Sequence, residues 1–69
     1  MPMRRAAKRA GIYEPAEITL LGRVFDKLVE PRFDDAAREA LASRILGYYL
    51  AGIRDEDELC TLSKQPLGR

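Results

Sequence analysis

DDAAREALASRILGYYLAGIRDEDEL, residues Asp34–Leu59, decides the architecture of this 69-residue chain. Asp34 stands where a helix N-cap belongs, because its short carboxylate can accept from backbone N–H groups that have no partner within the helix. Leu41, Ile45, Tyr48 and Tyr49, flanked by Ala37 and Leu46, then recur at helical spacing and give a helix over about 35–51 one apolar face. Gly52 ends it as a left-handed C′ residue, and Ile53 packs back as in a Schellman motif. Asp55 caps a further helix over about 55–62, with Glu58 three residues on in a capping-box arrangement. Leu59 and Leu62 supply its apolar side, with Cys60 near it. The acids Asp55, Glu56, Asp57 and Glu58 suit the positive end of its dipole.

Working toward the N-terminus, Pro15 marks the start of another helix, since proline favours the first helical position. Stepping about 100° per residue from Ile18 divides this segment in two. Leu20, Leu21, Val24, Phe25, Leu28, Val29 and Ile18 cover one half of the wheel. Thr19, Gly22, Arg23, Asp26, Lys27 and Glu30 cover the other. An apolar half-circle is wider than one helix contact needs, so this helix touches two neighbours. Pro31 stops it near residue 30.

The first thirteen residues carry Arg4, Arg5, Lys8 and Arg9 and no acid. The other eight cations face eleven acids, so the total of +1 hides a basic arm on a body of −3. With Pro2, Gly11 and few residues to bury, 1–13 reads as a flexible arm. Its run Arg4–Ala10 is able to become helical on an anionic surface, since Ala, Arg and Lys are good helix formers. The tail 63–69, with Pro66 and Gly68, is expected to fray. The expectation is therefore an all-α fold: a disordered basic arm (1–13), a compact three-helix domain (14–62, helices about 15–30, 35–51 and 55–62) and a frayed tail.

Size and composition exclude several classes. A chain this short buries only about 60% of its unfolded surface and needs well-made helices or a second subunit. One cysteine and no histidine leave no intrachain disulfide and no structural zinc site. No apolar run reaches the roughly 18 residues of a membrane span, and Met1–Gly11 lacks the apolar region of a signal peptide. With no histidine base, no glycine-rich phosphate loop and no activated nucleophile, an enzyme is not expected. No catalytic, cofactor or metal residues are assigned.

Each remaining feature has a plain reading beside a functional one. Arg4, Arg5, Lys8 and Arg9 either bind a polyanion such as nucleic acid by counterion release or merely solubilise the chain. Residues 51–54 invite a helix-turn-helix reading, yet four carboxylates at the tip of the second helix oppose DNA phosphates. That acid cluster lacks the offsets of a calcium loop and reads as a solvated cap, or as a dock for a basic surface, including this chain's own arm. Ala36, Ala40, Ser43, Gly47 and Ala51 line one side of their helix. They read as a seam for packing within the monomer, with self-association as the second option. Gly47 in mid-helix costs about 1 kcal/mol relative to alanine, which suggests a packing reason. Tyr48 and Tyr49 read as core residues with a hydroxyl at the rim rather than as a base-stacking platform.

Arg44–Leu59, preceded by Ala37–Ala42, resembles a family of small uncharacterised alphaproteobacterial helical proteins in its alanine-rich helix, glycine turn and acidic cap. The likeness covers the C-terminal half. It implies a bacterial, cytoplasmic protein and transfers no site residue. The function expected from the sequence is a non-enzymatic protein-interaction module, regulatory in kind, acting on a protein partner or on itself as a homodimer. The alternative is a nonspecific nucleic-acid-associated protein acting through the basic arm. No membrane partner is expected.

Overall fold

A computed structural model describes residues 2–64, with only the backbone of Pro2 described. The chain forms four helices, α1 (Pro2–Arg9), α2 (Pro15–Leu28), α3 (Asp35–Leu50) and α4 (Glu56–Ser63), and no strand among the described residues. The radius of gyration is 11.0 Å, equal to the value of about 11 Å expected for a folded chain of this length. Helices α2 and α3 form the central pair. Helices α1 and α4 each pack on both of them and not on each other. The double contact expected of the wide apolar half of α2 is thus present, and reaches three neighbours. No helix is long and apolar enough to cross a membrane among the described residues.

The basic segment is the main correction. It is not a disordered arm but a helix whose Met3 and Ala7 are 0% exposed. At about 100° per residue these two share one side of α1, opposite the arc that holds the four cations. The chain leaves α1 through a Schellman turn: Gly11 at φ 85°, its N–H donating to the Lys8 carbonyl (3.0 Å), and the Ile12 N–H donating to the Ala7 carbonyl (2.9 Å). Ile12 follows into the core, at 7% exposed. The body therefore begins at Pro2, and the domain has four helices rather than three.

The other three helices lie close to their expected bounds. Pro15 opens α2, and its N-cap Glu14 makes no side-chain capping bond. Helix α2 ends at Leu28 because Val29 turns extended, ahead of a Glu30 that Pro31 keeps out of the helical region. Gly22, assigned above to the polar half, is buried. It lies one turn beyond Ile18, on the flank where α1 docks. Asp34 caps α3 by accepting from the Ala37 N–H at 2.8 Å, and Asp55 caps α4 by accepting from the Glu58 N–H at 3.0 Å. The Glu58 side chain makes no return bond among the described residues, so the capping box is half formed. At the end of α3, Gly52 (φ 110°) donates to Tyr49 and Ile53 donates to Tyr48, both at 3.1 Å. That is the same Schellman pattern that ends α1.

The core is Met3, Ala7, Ile12, Leu21, Val24, Phe25, Leu41, Ala42, Ile45, Tyr49 and Leu59, drawn from every helix. Cys60 is half-buried at its edge. Ser63, assigned to a fraying tail, is fully buried in the last turn of α4. Its carbonyl accepts from Arg44 at 2.8 Å, which places a guanidinium against the negative end of that helix. The rest of the expected tail, 65–69, lies outside the described residues.

Because Met3 is wholly enclosed, truncating it tests whether α1 belongs to the cooperative unit. Met3→Ala should lower unfolding stability by about 2–5 kcal/mol, read by chemical denaturation with circular dichroism. If α1 were an independent arm, the midpoint would not move.

Candidate cationic face on the first helix

Helix α1 has a composition that its own stability does not explain. Arg4 and Arg5 stand near its N-terminus, where the dipole favours anions, and no acid is present in the first turn. Arg4 with Lys8, and Arg5 with Arg9, are like-charge pairs four residues apart, each costing a few tenths of a kcal/mol. Only Lys8 and Arg9, in the last turn, suit the dipole. What holds the helix in place is Met3 and Ala7 in the core, together with the Gly11–Ile12 turn.

All four cations are exposed, and none takes part in an ion pair among the described residues. The cations of the body are different. Arg23 and Lys27 both hold Glu56, at 3.1 and 2.8 Å. Arg32 meets Glu30 at 2.7 Å, Arg38 meets Asp35 at 3.3 Å and Arg54 meets Glu17 at 3.4 Å. These are solvent-facing pairs and add little stability individually, but they neutralise the charge locally. The Glu56 carboxyl is held below its ordinary range by its bonds to Lys27 and Arg23, and the Lys27 ammonium is pushed up by the same contact. The acid cluster at the start of α4 thus docks on α2 through Glu56, not on the basic segment as one expectation had it. No group of residues suited to a metal ion is present among the described residues.

Two clefts border the cationic face. Arg5 lines the larger, of about 700 Å³, with Phe25 and Val29 on its floor and Glu30, Asp35, Arg38 and Glu39 around it. Its acids offset Arg5. Arg4 and Lys8 line the smaller, of about 240 Å³, with Tyr13, Pro15, Ile18 and Thr19. No acid lines that one.

The remaining candidates are placed plainly. Ala36, Ala40, Ser43, Gly47 and Ala51 are all exposed, which overturns packing within the monomer as the reason for the strip. A Cβ on Gly47 would meet nothing within 4 Å. A shallow apolar groove of about 380 Å³ runs along Ser43, Arg44, Gly47, Tyr48 and Ala51, with Leu50 55% exposed on the same helix. Tyr48 is half-buried.

Tyr49 is buried with its hydroxyl at the rim, donating to Glu17 at 2.6 Å, while Arg54 lies 4.0 Å over its ring. Glu17 had no assigned role in the sequence. The signal available was an acid among the apolar positions of α2. Burial, and then the bond to Glu17, push the Tyr49 hydroxyl above its ordinary value, against the opposing pull of Arg54.

Neither a family model, nor a curated protein, nor a solved structure matches the chain.

The Tyr49 shift has a definite sign. With its folded value raised, the neutral phenol's contribution is whole below about pH 10 and is lost as pH climbs through the folded value. Tyr49→Phe should cost about 1 kcal/mol at neutral pH, a modest figure because the Glu17 side chain is 36% exposed. Above pH 10 the gap between the two proteins should narrow. Denaturation curves at neutral and alkaline pH decide this, and a gap that is constant or widens with pH contradicts the assignment.

Proposed function

We propose that the protein is a non-enzymatic helical module that binds a polyanion, nucleic acid foremost, on the exposed face of α1. One observation carries the reading: the four cations of α1 are exposed and without ion pairs among the described residues, whereas the body pairs five of its own. A solubilising tail needs no core anchor. This helix spends two fully buried side chains on holding like charges side by side in a fixed arc of about 140°. Such an arc matches the repeating phosphates of a nucleic acid, which release condensed counterions when cations approach. In a cytoplasm, the setting that the resemblance to small bacterial proteins implies, nucleic acid is the abundant polyanion. The acids at the start of α4 oppose a helix-turn-helix mode, so contact through α1 phosphate by phosphate is the mode proposed.

Deleting the segment would take Met3 and Ala7 from the core, so the test uses charge. Arg4→Ala, Arg5→Ala, Lys8→Ala and Arg9→Ala combined keep a helix-forming surface. The native chain should bind labelled oligonucleotide with a log–log salt slope of about −3, from four contacts at about 0.7 each on a single strand. The quadruple variant should lose that binding while still folding, and Arg23→Gln should retain it. Absence of binding by the native chain at low salt would refute the reading.

The exposed strip on α3 supports a second reading, self-association, since Gly47 has no steric reason within the monomer. Replacing Gly47 by Ala should stabilise a monomer by about 1 kcal/mol, and Gly47→Arg should leave its sedimentation unchanged. A dimer across this strip would sediment as such at high concentration and dissociate on Gly47→Arg. A native chain that sediments as a monomer throughout removes this reading.

A further inference from the structure

The cleft between α1 and the start of α2 carries more than charge. Its one wall is cationic, with Arg4 and Lys8 a helical turn apart on α1. Its other wall is apolar, made of Pro15 and the half-buried Ile18, with the Thr19 hydroxyl beside them. Tyr13 stands at its edge, 67% exposed. Its hydroxyl has no hydrogen-bond partner among the described residues.

The local chain explains how an aromatic ring comes to be presented there. The Gly11 turn sends Ile12 inward, so the next residue points out, and Pro15 fixes the backbone two residues later. The ring is therefore mounted between two constrained points, and little backbone freedom is lost when something rests on it.

We propose that this cleft takes an unpaired nucleobase stacked on Tyr13 with an adjoining phosphate on Arg4 and Lys8, so that the preferred ligand is single-stranded nucleic acid. This rests on the polyanion reading above and narrows it. A positive groove combined with an exposed ring is the arrangement that binds single strands with little sequence preference, because every base has a face to stack. In a duplex those faces are already stacked on their neighbours, so Tyr13 gains nothing there. Two cations without an aromatic ring would not distinguish the two forms.

The experiment compares three probes at one low salt concentration: a single-stranded oligonucleotide, as DNA and as RNA, the same sequence as a duplex, and inorganic polyphosphate, which has no bases. Tyr13→Ala should weaken single-strand binding about tenfold or more and leave polyphosphate binding unchanged. Tyr13→Phe should bind like the native chain, since stacking needs the ring and not the hydroxyl. Arg4→Ala with Lys8→Ala should weaken all three probes. Tyr13 touches no core residue through a hydrogen bond and is largely exposed, so its variants should keep the native melting curve. If Tyr13→Ala binds single strands as tightly as the native chain, or loses polyphosphate equally, the stacking site is wrong while the polyanion reading survives. If the native chain binds none of the probes, both fall together. Unequal losses on DNA and RNA would identify which strand the cleft favours, and equal losses a cleft that reads only base and phosphate.

Discussion

Burial of Met3 and Ala7 is the constraint on which the rest of the molecule depends. Helices α2 and α3 alone leave apolar surface uncovered on the flank of α2 that holds Ile18 and Gly22. Closing that flank takes a third element, and among the described residues the short, highly charged α1 supplies it. An isolated helix of eight residues is marginal in water, and this one also repels itself. It is ordered because its inner side completes a core, not because its sequence favours a helix. Helix α4 plays the corresponding part for the other flank, with Leu59 in place of Met3 and the Glu56 bridges to Arg23 and Lys27 along its edge.

The charge arrangement follows from that constraint. Five cations of the body meet an acid of a neighbouring turn or helix, because α2 and α3 carry both signs and α4 brings acids. Helix α1 carries one sign only. Its inward side is taken by apolar groups, so its cations have no choice but to face solvent. Their positions are then as fixed as the core beneath them. A mobile tail would spread four charges over a large volume, whereas the docked helix concentrates them beside a cleft and a tyrosine. The difference is one of preorganisation, which spares a ligand the cost of ordering the surface it meets.

What the sequence made legible was the part with strong local punctuation. Asp34, Asp55 and the Gly52–Ile53 turn each have one dominant physical role, and α3 and α4 followed from them, as α2 did from Pro15, its apolar half-wheel and Pro31. Helix α1 was hidden because Met3, Ala6 and Ala7, one large apolar side chain and two methyls among eight residues, give no visible periodicity. The clue was present at its end: Ala10-Gly11-Ile12 repeats the tripeptide Ala51-Gly52-Ile53, and both glycines close Schellman turns. Gly11 read as a sign of flexibility when it was a helix stop. The small residues of α3 misled for another reason. Alanine, serine and glycine fit a tight contact and an open surface equally well, so their alignment says nothing about which side of the helix faces in. Glu17 and Tyr49 lie 32 residues apart in sequence, and no local rule pairs them. The cationic residues were singled out from composition alone, whereas the cleft beside Tyr13 needed the docked geometry.

One helix serves as both a wall of the core and the outward face of the molecule, and this blurs a distinction on which mutational mapping usually relies. A scan for residues needed in binding would recover Met3, Ala7 and Ile12 together with the arginines, although none of those three is reachable from outside. The reverse holds as well: any molecule that settles on the outer side of α1 holds the first helix shut against α2 and α3, so occupancy would show up as resistance to proteolysis far from the point of contact.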